Sequence, residues 1–173
     1  MKELMFPDFP REEYVPRYAC TQQVLAERGL DALFLTGRSN LRYFAGLRDG
    51  AWDASHFYFL AILPVEGQPV LLVSDGFQNL VEQCWIEDVR YWPLAREFYM
   101  SKESNAVALA LDVFREMGLE NGTIGMELGA DMQVHMAHSH FTALREGLPK
   151  ARTVDANDAV WAVRSVKSSA EIE

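Results

Sequence analysis

The spacing of hydrophobic and polar positions changes several times along the chain, and each change marks an element. Within residues 11–28, Tyr14, Tyr18, Thr21 and Leu25 recur at helical spacing with Val24 beside them, and Glu12 and Glu13 stand at the positive N-terminal end. This predicts an amphipathic helix with Cys20 on its inner side. Gly29 ends it, because glycine takes the left-handed conformation common at helix termini. Residues 30–36 are almost wholly apolar, as expected of a strand covered on both faces, although periodicity alone leaves a buried helical turn open. Gly37 breaks the run. Ser39 or Asn40 is placed to cap a new turn whose apolar face is Leu41, Tyr43 and Phe44.

Residues 57–64 and 69–74 read as antiparallel strands joined by a turn in which Gly67 can take a positive φ. A helix over 75–85, with Leu80, Val81 and Cys84 on one side, leads to a short strand at 89–92 stopped by Pro93. The next helix is capped by Ser101 or Ser104 and turns Val107, Ala110, Leu111 and Phe114 inward. A strand at 123–127 follows the Asn121-Gly122 turn. Asp131 is then expected to cap a helix with Val134, Ala137, Phe141 and Leu144 facing the core. A strand at 152–155 and a short helix at 158–164 complete a layered α/β domain, with residues 1–10 as an extended arm.

Composition narrows the function classes. The 173 residues suffice for one domain with a core, or one domain and a linker. A net charge of −9, from 25 acidic against 16 basic residues, argues against a nucleic-acid partner. No apolar run is long enough to span a bilayer and the N-terminus lacks a secretory pattern, so a soluble cytoplasmic protein with no membrane partner is expected. Cys20 and Cys84 are read as reduced thiols.

Candidate chemistry is sparse. His135, His138 and His140 invite a metal-site reading, but on one helix His140 points roughly 140–200° away from the other two. A solvated helix face is the better reading. Ser55 and His56 are adjacent, which is poor geometry for nucleophile and base, and neither a nucleophile elbow nor a glycine-rich phosphate loop occurs. Glu127 and Asp131 could share a loop as paired carboxylates, without a companion acid or metal ligand. Residues 48–56 concentrate an indole, an imidazole and two carboxylates on a predicted loop, where binding groups tend to sit, and Trp52, Asp53 and His56 are its candidate site residues. The competing reading has Trp52 plugging the edge of the domain's own core. At the other end, Ser168-Ser-Ala-Glu171 is a capping box two residues before the last one, which leads to the expectation of a longer parent protein.

Two stretches carry a family resemblance. Gly29-Leu-Asp-Ala-Leu-Phe-Leu-Thr followed by Asn40-Leu-Arg-Tyr43-Phe-Ala-Gly46 resembles the N-terminal domain of the creatinase, prolidase and Xaa-Pro aminopeptidase family. Arg164-Ser-Val-Lys167-Ser-Ser-Ala-Glu171-Ile resembles the join that leads from that domain into the catalytic one. The resemblance implies a mixed, roughly six-stranded sheet flanked by helices, of ribonuclease-H-like topology. It divides the chain into a domain at 1–156 and the start of a linker at 157–173. It implies no cofactor in this fragment, and two divalent ions (Mn, Co or Zn) in a C-terminal pita-bread catalytic domain that is the fragment's natural partner.

The leading expectation is therefore the non-catalytic N-terminal domain of a metal-dependent Xaa-Pro peptidase, aminopeptidase P or prolidase-like. It would support homodimerisation and shape a neighbouring subunit's pocket for a peptide or small-molecule substrate. Trp52, Asp53 and His56 are candidates for that pocket wall, and Arg164 and Lys167 for a structural role at the domain boundary. Trp161 ahead of Arg164 resembles creatinase-like sequences, so the N-terminal domain of a creatinase-like C–N hydrolase is one alternative. A free-standing interaction module that has lost its enzyme domain is another, and a small nucleotide-binding protein is disfavoured for want of a phosphate loop.

Overall fold

A computed structural model describes residues 7–48, 59–93 and 104–172. Six strands, β1 (Ala32–Leu35), β2 (Leu60–Pro64), β3 (Val70–Ser74), β4 (Asp88–Trp92), β5 (Thr123–Met126) and β6 (Arg152–Asp155), form one sheet in the order β4-β3-β2-β1-β5-β6. The β1–β2 and β2–β3 pairs are antiparallel, whereas β3–β4, β1–β5 and β5–β6 are parallel. This is the mixed, six-stranded sheet flanked by helices that the family resemblance implied.

Helices cover both faces of the central strands, which is why β1, β2 and β3 read as unbroken apolar runs, whereas the edge strands β4 and β6 are only partly buried. Leu33 and Leu35 of β1 pack into one cluster with Tyr14, Tyr18 and Leu25 of α1 (Arg11–Glu27) and Val160 and Val163 of α5 (Asn157–Arg164). Ala32 and Phe34 point the other way, into a cluster with Val107, Ala110 and Phe114 of α3 (Asn105–Glu116) and Leu144 of α4 (His138–Gly147). Leu111 of α3 is only partly buried. Among the described residues no helix is long and apolar enough to cross a membrane.

Several local expectations are corrected. Cys20 is exposed, not inward, while Cys84 is buried, and neither is in a disulfide. At 100° per residue Cys20 lies roughly 200° around the helix from Tyr18, and the place it was given in the buried stripe belongs to Arg17 and Thr21. Residues 75–83 are helical as expected, but wound as a 3₁₀ segment (Asp75–Gln83). Asp131 caps nothing: it sits in a turn, and α4 begins seven residues later at His138. His135 therefore precedes the helix rather than lying on it. Neither Ser39 nor Asn40 caps the turn after β1. Gly37 occupies the N-cap of α2 (Arg38–Asn40), and Ser104, at the N-cap of α3, makes no side-chain capping bond. Ser101 lies outside the described residues.

α2 runs directly into a π-helical turn, Leu41–Ala45, which Gly46 ends at φ 74°. The Gly46 N–H donates to Arg42 O and the Leu47 N–H to Leu41 O, which closes the turn's carbonyls. A Cβ at Gly46 would lie 3.1 Å from the Tyr14 phenol, so both conformation and space demand glycine there. Gly67, at φ 95°, has open space around it. Gly46→Ala should therefore cost about 2–3 kcal/mol, the left-handed penalty plus overpacking, and Gly67→Ala only about 1. Urea unfolding of the two variants reads the difference, and equal losses would contradict the packing argument.

Candidate functional site

The parallel strands β1 and β5 end side by side, and the chain leaves both ends into polar segments that close around one carboxylate. Glu127, directly after β5, is only 2% exposed. Its Oε2 accepts from the Thr36 N–H at 2.7 Å, the Gly37 N–H at 2.7 Å and the Thr36 hydroxyl at 3.0 Å, and its Oε1 accepts from Asn40 Nδ2 at 2.6 Å. Gly37 is required by proximity: a Cβ there would lie 2.4 Å from Glu127 Oε1. Thr36 Oγ1 also accepts from the His135 N–H at 2.8 Å, which holds the segment after β5 against the end of β1. That long-range tie is why residues 131–137 do not start the helix early.

Asn40 extends the network. Its Oδ1 accepts from Arg164 Nη1, and the Arg164 guanidinium lies 5.4 Å from the Tyr43 ring centroid and 5.4 Å from that of Trp161. Lys167 Nζ donates to Arg164 O. Arg17, 7% exposed, meets Tyr43 from α1: its guanidinium stands 4.0 Å from the ring centroid, and Nη1 donates to Tyr43 O at 2.6 Å. Its Nη2 pairs with Glu13 at 3.3 Å and with Glu171 at 3.8 Å. Glu171 belongs to the capping box, which forms as expected: Ser168 N–H donates to Glu171 Oε2 at 3.0 Å and Glu171 N–H to Ser168 Oγ at 3.3 Å, starting α6 (Ser169–Ile172). Burial pushes the Tyr43 phenol above its ordinary pKa, with the Arg17 charge opposing it.

Over this network lies an open cleft of about 380 Å³. Asn40 and Glu127 are buried in it, Arg164 and His135 are half-buried, and Ser39, Asp131, Gln133 and Trp161 stand exposed along it. The Glu127 carboxylate is engaged by four donors, so it is not half of a catalytic pair with Asp131. Among the described residues no three His, Cys, Asp or Glu side chains are grouped to hold a metal ion. The residues described do not fit a two-metal centre. What the arrangement offers is binding and support.

Trp52, Asp53 and His56 lie outside the described residues. The described flanks of their segment are held. At one, Arg48 Nη1 donates to Asp8 Oδ1 at 3.0 Å, and Asp8 also pairs with Arg42 Nε at 2.5 Å. At the other, Phe59 is buried against Phe77 at a centroid distance of 5.2 Å. Sequence reasoning missed Glu127 as an organiser and Arg17 as a core residue. The available signal for Glu127 was an acid directly after an apolar strand, facing a glycine directly after another.

Fold and cleft together define a mixed α/β domain with an open polar cleft at the ends of β1 and β5. The profile of the creatinase/prolidase N-terminal domain matches residues 17–166, and the chain belongs to that family. It is 31% identical over 171 residues to the ectoine hydrolase of Halomonas elongata, covering 95% of this chain and 40% of that protein. It is 23% identical over 172 residues to the creatinase of a Bacillus species, covering 99% of this chain and 38% of that protein. Among solved structures, the dipeptidase PepE of Mycobacterium ulcerans has the same fold, with a TM-score of 0.70 at 21% identity over 95% of this chain and 40% of its own. The chain thus spans about 40% of the length of the curated relatives it matches.

Two stability predictions follow from this geometry. Glu127→Gln should cost about 2–4 kcal/mol, because the amide keeps one acceptor oxygen but turns the other into an NH2 facing a donor, and the charge that strengthens the remaining hydrogen bonds is lost. Chemical denaturation checks it, and a loss under 1 kcal/mol would contradict the network's importance. For Asp8, the hydrogen bond from Arg42 holds the carboxyl below its usual 3.8, with burial opposing and the Arg42 and Arg48 charges assisting. Its contribution is therefore complete above that value and lost as pH falls through the lower folded value. The stability gap between wild type and Asp8→Asn should persist at pH 7 and close only as pH falls below the usual carboxylate value of 3.8; a gap that already closes above that value would refute the assignment.

Proposed function

We propose that this chain is the N-terminal, non-catalytic domain of a hydrolase that cleaves a C–N bond of a small molecule. The observation that carries the reading is the 31% identity with ectoine hydrolase across 95% of the chain. Creatinase, the second curated relative, is by its name also a small-molecule enzyme. The likeness to dipeptidases and prolidases bears on the fold alone at 14–21% identity. A Xaa-Pro peptidase is accordingly the competing reading.

In this proposal residues 1–156 form the domain and 157–173 the join to a downstream catalytic domain, which holds the two divalent ions. α5 then packs on the domain as the near side of the join, and the Arg17–Glu171 contact fixes α6 beside it. The domain supports a cytoplasmic homodimer, and Trp52, Asp53 and His56 form a wall of the partner subunit's pocket.

The test is to express the whole reading frame and compare hydrolysis of ectoine, creatine and a Xaa-Pro dipeptide. Ectoine or creatine should be preferred by at least about 100-fold in kcat/KM, as expected when a site's buried polar groups match one substrate. Trp52→Ala and His56→Ala should raise KM for that substrate with kcat little changed. The 173-residue chain alone should hydrolyse none of them and carry no stoichiometric metal. Preferential cleavage of the Xaa-Pro peptide would hand the assignment to the peptidase reading, and a stop codon after Glu173 would favour an interaction module.

A further inference from the structure

The cleft above Glu127 has binding capacity that the domain's own architecture does not use. Only one of the five N–H donors of Arg164 is taken by Asn40, and no carboxylate among the described residues pairs with this guanidinium. The side chains of Ser39, Gln133 and His135, and the Trp161 indole N–H, line the same cleft without a hydrogen bond to any described residue. Asp131 lines it too and has no ion-pair partner among them. Trp161 is 42% exposed, a large apolar face left in water beside a cation.

The charge inventory says what could fill this space. Two arginines, Arg38 and Arg164, and two acids, Glu127 and Asp131, line the cleft, so its formal charge is balanced. An anion would meet Arg164 favourably but Asp131 unfavourably, and a simple cation would meet the reverse. A molecule carrying both signs satisfies both. A guanidinium with open donors suits a carboxylate, and an exposed carboxylate and an indole lining the same cleft suit an ammonium or quaternary ammonium group. The volume of about 380 Å³ is at the lower end for small-molecule sites. The cleft also lies at the carboxyl ends of parallel strands, where ligands of open α/β sheets bind.

We propose that this cleft is a binding site for a small zwitterion of the amino-acid or betaine type, with its carboxylate on Arg164, Ser39 and Gln133 and its cationic end between Asp131 and Trp161. The inference stands on the cleft alone and does not require the hydrolase reading.

Calorimetric titration of the 173-residue chain, with folding verified by circular dichroism, tests it. L-Proline and glycine betaine serve as zwitterions, and acetate and tetramethylammonium as single-charge controls. Saturable binding of at least one zwitterion is expected, at least tenfold tighter than either control. Asp131→Asn and Gln133→Ala, which leave the Glu127 network intact, should each weaken it several-fold, and Trp161→Leu should weaken glycine betaine. Absence of saturation with both zwitterions would overturn the proposal, as would acetate binding equally well or affinity indifferent to Asp131→Asn. Each of these outcomes leaves the hydrolase assignment standing, because that is scored by turnover in the full-length protein.

Discussion

The fold depends on a single buried carboxylate. At the ends of β1 and β5 the sheet stops, and the Thr36 and Gly37 N–H groups lie past the last paired residue of β1. Glu127 supplies the acceptor to both, and to the Thr36 hydroxyl and the Asn40 amide as well. Burying a charge costs several kcal/mol, and four donors offset that cost. An apolar residue at 127 would escape the desolvation term but leave the buried Thr36 N–H orphaned and the half-buried Gly37 N–H without its protein acceptor. A hydrophobic replacement is therefore not the neutral exchange it can be for an isolated ion pair, and the carboxylate specifies how β1 exits as much as it stabilises the exit.

That constraint accounts for what was legible in the sequence. β1, β2 and β3 and the helices α1, α3 and α5 were readable because helices bury both faces of the central sheet, so period and length carry the signal; the half-exposed edge strands β4 and β6 were marked by their flanking breaks instead. The turn after β1 and the segment after β5 were not. Capping rules weigh a side chain against its immediate neighbours, and by those rules Asn40 and Asp131 are good caps. Asn40 instead turns to a carboxylate 87 residues away, and the backbone of His135 is held by a threonine 99 residues away. A desolvated acceptor outbids a local cap because leaving it unpaired costs more than an unfilled helix end exposed to water. The inward placing of Cys20 failed for a different reason: Arg17 occupies the core stripe, and hydropathy does not count an arginine as a core residue.

The site was legible in outline only. The residues that carried the family resemblance, Asn40, Tyr43 and Gly46 at one end and Arg164 and Lys167 at the other, are 124 positions apart between Asn40 and Arg164, yet they form one joint. Arg164 bonds Asn40 and lies near Tyr43, and Gly46 makes room for Tyr14 beneath the same turn. Two motifs that look independent in the sequence are the two halves of one contact. Arg17, which no motif marked, closes it from α1.

Two guanidinium groups near one phenol ring would repel each other in a low-dielectric setting. Arg17 is compensated by Glu13 and Glu171, and Arg164 by the Asn40 carbonyl oxygen and by the two rings. Glu171 has a second task, since the same Oε2 accepts from the Ser168 N–H at the start of α6. One carboxylate oxygen thus closes the capping box and neutralises a charge buried under α1. Removing it would free the first turn of α6 and leave Arg17 with Glu13 alone. Conversely, an uncharged residue at 17 would leave the box intact but untethered. The orientation of α6 on the domain therefore rests on an electrostatic contact rather than on apolar packing, consistent with Val166 and Ile172 remaining exposed beside it. A helix held by charge at its first turn keeps its orientation without burying any of its own side chains.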